Sequence, residues 1–220
     1  MDFKYYLKKL ISELKSDFIE NKYLLLLSIL IFVIPIFIGY FEASSLKSIM
    51  DPLVNSFKQN IKNGTTSLTF LSLFMNNFRV SIMLFAGSAL FALFGLFILT
   101  TNGLFLGYFG SDIPPIIYLV FILPHGIFEI PALIISALSG FIILSFILKF
   151  IKGIIFKKID EDGSKMNLIS KAKYSFNDNS VKLKQALILF VLSTVLLIIA
   201  AFIEANLTKP LALGFLSLFS

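Results

Sequence analysis

His125 and Glu129 stand four residues apart in the run Leu123-Pro124-His125-Gly126-Ile127-Phe128-Glu129. On a helix that spacing puts an imidazole and a carboxylate on one face, where they can bond to each other or offer two ligand atoms. The pattern is His-x-x-x-Glu rather than His-Glu-x-x-His, and His125 is the single histidine, so no zinc-protease motif is completed. Glu42, Arg79, Asp112 and Glu204 also bound or interrupt apolar sequence, and Asn76 and Asn77 precede the arginine. An ionised side chain at the centre of a bilayer costs about 2.5–3.5 kcal/mol or more, which makes each of these groups a functional candidate. Arg79 is the only arginine and cannot neutralise three glutamates. A glutamate left over must be protonated, face water, pair with a lysine or bind a cation. Ser111 and Ser136 have no nucleophile signature around them, so no catalytic residues are assigned and the chain is read as non-enzymatic.

The sequence around these groups is not that of a water-soluble domain. Of 220 residues, 57% are hydrophobic and 15% charged, and mean hydropathy is +0.91. Soluble domains carry about 25% charge, and disorder requires low hydrophobicity, so the class is integral membrane protein. The absence of Cys excludes disulfides, iron–sulfur clusters and thiolate zinc sites, and one His excludes a multi-histidine site. No metal and no cofactor is expected. The net charge of +6 comes from lysines flanking apolar runs. That distribution points to orientation in a lipid bilayer rather than to a nucleic-acid partner.

Charge-free stretches give the elements. Tyr23–Phe41, Val80–Ser111, Ile130–Leu148 and Gln185–Ile203 lack charge, and about 20 apolar residues span the hydrocarbon layer. Val80–Ser111 is too long for one upright helix. Asn102-Gly103 reads as a turn dividing it at the inner face. Leu104–Leu123 is interrupted by Gly110-Ser-Asp-Ile-Pro-Pro115 and reads as a broken or re-entrant helix, with Asp112 in the break. The expected fold is all-α, a polytopic transmembrane bundle of about five spans. Its parts are a cytoplasmic amphipathic helix (1–22), span 1 (23–41), an outer loop with an amphipathic helix (42–78), spans 2–4 (79–148), a basic cytoplasmic loop (149–184), span 5 (185–206) and an outer tail (207–220). Five spans put the lysine-rich N-terminus and the lysine-rich loop on the same, cytoplasmic side, with the C-terminus outside, as the positive-inside bias requires. The location this implies is the plasma membrane, with several passes.

Two segments outside the spans have helical periodicity. Phe3, Leu7, Leu10, Ile11, Leu14 and Phe18 form one, and Leu46, Met50, Leu53, Phe57 and Ile61 the other. Each can lie on the bilayer surface or on the protein itself. This topology puts Glu42, Asn77, Arg79, His125, Glu129 and Glu204 near one outer level, with His125 in a turn between spans 3 and 4. Glu129 then lies one helical turn, about 6 Å, further in. Gly87 and Gly95, with Ala86, Ala89 and Ala92, allow close helix approach and a dimer seam.

Several segments in order resemble the stage II sporulation protein M family. They are Phe74-Met-Asn76-Asn77, Asn102-Gly103-Leu-Phe-Leu-Gly107, Leu123-Pro124-His125-Gly126-Ile-Phe-Glu129-Ile-Pro131-Ala132, Gly140 and Ala200-Ala201-Phe-Ile-Glu204-Ala205. The resemblance covers residues 70–206 and is most specific at Pro-His-Gly-x-x-Glu. It implies a polytopic membrane protein. In endospore formers members act in engulfment with a cell-wall-remodelling complex, and relatives occur in bacteria and archaea that make no spores. Asn77, Asn102, Gly103, His125, Gly126, Glu129 and Glu204 carry over, and no catalytic role is implied for them. The chain departs from the pattern in its Phe-rich helices and its Pro114-Pro115 break, which argue against sporulation itself, and its Cys-free, Arg-poor composition suits an archaeal relative. The functional expectation is a self-associating scaffold of an envelope complex, as a homodimer or with other membrane proteins. The alternative is a transporter or channel-like component with an outer-leaflet polar pocket.

Overall fold

The computed structural model describes residues 3–63, 69–157 and 165–208, with positions 210, 211 and 214. Within them lie α1 (Phe3–Glu20), α2 (Lys22–Phe41), α3 (Ala43–Lys62), α4 (Phe70–Leu90), α5 (Ala92–Ser111), α6 (Pro115–Phe156), α7 (Leu168–Ile203) and a π-helical turn (Glu204–Thr208). As expected, the fold is helical. Five helices, α2, α4, α5, α6 and α7, are long and apolar enough to cross a membrane. Lys158, Lys209 and most of the 207–220 tail lie outside the described residues.

Close contacts fix the direction of each helix. A Cβ at Gly103 or Gly107 of α5 would strike the backbone carbonyl of Phe32 or Ile36 of α2, so these two helices run parallel. Ser81 of α4 meets Ser136 of α6, and Phe85 meets Gly140, so that pair is parallel too. α7 runs against α6, with Ser193 at Ser136, Ser175 at the Phe150 carbonyl and Thr208 at His125. Asn21 and Gln185 mark one end of the bundle, the three serines its middle, and His125 with Thr208 the other end.

The helix boundaries differ from those expected in three places. The chain turns between α4 and α5 at Phe91 (φ −139°, ψ 97°), not at Asn102-Gly103. Phe91 carries no breaker signature. The turn is tight because Gly87 lies against Phe94 and Gly95 against Ser88, where side chains would collide. Asn102-Gly103 stays helical because the Asn102 amide donates to the Ile98 carbonyl (2.8 Å) and Gly103 is the seat of α2. The segment 124–131 is not a turn either. α6 passes through Pro124 and Pro131 as one helix of 42 residues, about 63 Å long and twice the hydrocarbon thickness. Prolines are tolerated inside such a helix because packed neighbours hold it when single backbone bonds are lost. Third, much of the basic segment 149–184 is helical, since the end of α6 and the start of α7 continue as a pair with Gly153 against Ser175.

Gly110–Pro115 interrupts the helical run as expected, but as the turn between α5 and α6, with Tyr118 folded back on Gly110 and the Leu106 carbonyl, rather than as a break within one span. α6 starts with Pro115 at its first turn, where the missing N–H is harmless. Asp112 is exposed there. Both amphipathic helices pack on the bundle with part of their apolar face. Met50 and Val54 of α3 are buried on Tyr108 of α5, whose hydroxyl donates to Asp51. Glu20 of α1 accepts from Gln185 of α7 (2.6 Å), and Lys184 donates to Glu13 (3.1 Å). Tyr5, Leu10 and Ile11 of α1, and Ile49 of α3, remain exposed.

Candidate functional site

Near the end of the bundle away from Asn21 the helices part around a cavity of about 300 Å³. Its polar lining is Asn76 and Asn77 from α4, Asn102 from α5, His125 and Glu129 from α6, and Glu204 from the π turn. Its walls are apolar, with Phe32, Phe105, Phe109 and Leu133 among them. Helical spacing explains the contributions. Leu73, Asn76, Asn77 and Val80 recur every three or four residues on one face of α4, and Ile122, His125, Gly126, Glu129, Ile130 and Leu133 do the same on α6. A Cβ on Gly126 would meet only Ile122 and Ile130 of its own helix, so the missing side chain adds to the open space.

His125 is buried, at 9% exposure. Its Nδ1 lies 3.3 Å from the Thr208 hydroxyl, and its Nε2 lies 4.0 Å from Glu129 Oε2. One ligand atom each from His125, Glu129 and Glu204 fall within 4.8 Å of one another. The Asn77 side chain lies beside Glu129. No lysine or arginine lines the cavity among the described residues.

Part of the expected cluster is gathered at this cavity. Asn77, His125, Glu129 and Glu204 meet as the sequence suggests. Arg79 and Glu42 do not join them. Arg79 is exposed and outside the cavity, because two residues along a helix from Asn77 is nearly the opposite side. Glu42 is exposed at the end of α2, where it accepts from Ser45 (3.4 Å). Asn102, expected at an inner turn, is instead a cavity residue half-way along α5. Pro124 lies one residue before the cavity histidine, inside α6.

Sequence reasoning missed Thr208 and the serine cluster beneath the cavity. Thr208 follows Glu204 at the same spacing of four that joins His125 to Glu129, which was the available signal. Ser81, Ser136 and Ser193 had none beyond being small polar residues in apolar helices. They bond to one another and to the Ala132 carbonyl, with Ser136 about 16 Å along α6 from His125 at 1.5 Å per residue.

The family model for stage II sporulation protein M matches residues 28–209. The chain belongs to the stage II sporulation protein M family. The matched region holds every cavity residue and leaves α1 outside. Two uncharacterized proteins of Methanocaldococcus jannaschii are similar over most of their length. MJ0706 is 28% identical over 215 residues, 92% of this chain and 89% of its own. MJ0793 is 29% identical over 193 residues, 86% of this chain and 95% of its own. No solved structure matches. These archaeal relatives accord with a family member outside sporulation.

Proposed function

We propose that this family member is a non-enzymatic, transporter- or channel-like component of the plasma membrane whose cavity receives a small polar solute from the extracytoplasmic side. The observation that carries the reading is the convergence of three asparagines, a histidine and two glutamates from four helical segments on one cavity among apolar helices. Ligand pockets in membrane bundles have this form, mostly apolar with a few directed polar groups. The orientation, with the N-terminus cytoplasmic and the C-terminus outside, rests on the lysines of α1 and of the α6–α7 extension.

The scaffold reading has less support. It drew on small residues for self-association, but Gly87, Gly95, Gly103, Gly107 and Gly140 are all used in contacts within the chain. A homodimer, or a complex with other membrane proteins, would have to use other surfaces.

The test is reconstitution of the purified chain in liposomes loaded with a panel of ions and small polar solutes. Flux through the wild type, lost in Glu129→Gln and in Gly126→Leu, is the expected result. Leucine at 126 fills the cavity without adding charge. Absence of flux, together with cross-linking to one envelope partner that persists in Glu129→Gln, would replace the transport reading with the scaffold.

A further inference from the structure

We propose that His125, Glu129 and Glu204 form a binding site for a divalent transition-metal cation of the zinc, cobalt, manganese or iron class. The inference deepens the transport reading, and rests on it in taking the cavity as a ligand site. Three features carry it, the first being geometric. The three ligand atoms lie within 4.8 Å of one another. Nitrogen and oxygen ligands at about 2.0–2.2 Å from a tetrahedral ion are separated by about 3.4 Å, so small side-chain rotations complete the site.

The second feature is the tautomer of His125. The Thr208 hydroxyl donates to the Ile203 carbonyl (3.4 Å), so its oxygen is free to accept the Nδ1 proton of His125 (3.3 Å). That hydrogen-bond pattern assigns the proton to Nδ1 and leaves Nε2 with its lone pair. Nε2 makes no hydrogen bond among the described residues and faces Glu129 Oε2 at 4.0 Å, too far for one. Two lone-pair atoms face each other inside the bundle, an arrangement that a cation between them makes attractive. A ring N–H held by an outer oxygen is also how ligating histidines are normally fixed. The π turn places Glu204 and Thr208 together against α6, and π-helical turns are frequent at functional sites.

The third feature is charge. Two carboxylates share the cavity with one imidazole and, among the described residues, no lysine or arginine, and the exposed Arg79 is outside it. A divalent cation balances both where unpaired charge is most costly. The imidazole nitrogen sets the class, because calcium and magnesium prefer oxygen-only shells. The Asn77 amide donates to the Glu129 carboxylate and so orients one of the ligands.

The experiment uses the full chain in detergent, stripped with a chelator and titrated with Co²⁺ while d–d absorption is recorded. One equivalent per chain is expected, displaced by Zn²⁺ and not by Mg²⁺ or Ca²⁺. Glu129→Gln and Glu204→Gln should abolish the bands. Thr208→Val, which keeps all three ligands and loses the outer hydrogen bond, should weaken binding by about 10–100-fold. Circular dichroism and size-exclusion profiles establish that each variant is folded, and Thr208→Val covers the case in which a glutamine variant is not. No stoichiometric Co²⁺ on folded wild type, or binding unchanged in all three variants, would overturn the proposal. Co²⁺ bound here without flux in liposomes would keep the site and remove the transport reading. Flux of another solute with no Co²⁺ binding would do the reverse.

Discussion

Ser136→Ala should destabilise the bundle out of proportion to the single atom it removes. Ser81, Ser136 and Ser193 are fully buried at the meeting of α4, α6 and α7. Ser193 donates to the Ala132 carbonyl (2.8 Å), so it accepts from Ser136 (2.6 Å), which in turn accepts from Ser81. Each hydroxyl donates once, and Ser136 is the central link. A hydrogen bond between membrane helices is worth about 0.6 kcal/mol on average and about 1.7 at most. Removing Ser136 breaks two and leaves Ser81 facing only Ser193 at 3.5 Å, so the expected loss is about 1–3 kcal/mol. Ser81→Ala, which breaks one bond, should cost about 0.6 kcal/mol alone and nearly nothing after Ser136→Ala. Unfolding in mixed micelles, followed by circular dichroism for the two single variants and the double, measures this coupling. Additive losses would refute the chain of hydroxyls. So would a loss at Ser136 no greater than at the exposed Ser44.

Gly107→Ala should cost about 1–3 kcal/mol, because its Cβ strikes the Ile36 backbone carbonyl, which cannot rotate aside. Gly126→Ala meets only side-chain atoms at 3.2 and 3.8 Å and should cost less, so equal shifts in Tm would contradict the seam between α2 and α5. Burial raises the Asp17 carboxyl above its ordinary 3.8, with its Oδ2 without a hydrogen bond among the described residues; a Gln185 hydrogen bond and Lys184 oppose the rise, and Glu20 and Glu13 add to it. An acid raised by folding stabilises when protonated, so this contribution is full below pH 3.8 and fades as pH rises through the shifted value. The Tm difference between Asp17→Asn and wild type should therefore grow in favour of the variant towards neutral pH, and a pH-independent difference would refute the reasoning. Cysteines replacing Phe91 and Lys165 should both label from the side opposite to one replacing Asn63. Labelling of positions 91 and 63 from one side would mean that the α4–α5 hairpin does not cross.

What the sequence made legible follows from what each signal measures. Hydropathy and lysine placement speak to depth in a bilayer; hydropathy gave the number of helices long and apolar enough to cross one, five, and the sequence grouped His125, Glu129 and Glu204, which the fold brings together. Depth says nothing about direction around a helix axis, which is why Arg79 and Glu42 were grouped with residues they do not touch. Local breaker signals misled for a related reason. Asn102-Gly103 would turn a chain in water, but here the amide is satisfied by Ile98 and the glycine by α2. Phe91 has no such signal, and its turn depends on how Gly87 and Gly95 meet Phe94 and Ser88 across the hairpin. Contacts between helices decided both places, and a single sequence does not display them.

The cavity itself argues for an occupant. The space of about 300 Å³ is partly open, so its lining decides what fills it. The bundle elsewhere spends glycines on the closest packing available, so the opening does not come from a general inability of these helices to fit. At Gly126 the glycine faces open space instead of a neighbouring helix, and polar side chains aim into that space from four helical segments. Polar lining lets water or a ligand enter and offset the void, which an apolar lining would not. If the space were empty, leucine at 126 would raise Tm by filling it, so a gain in Gly126→Leu would count against an occupant.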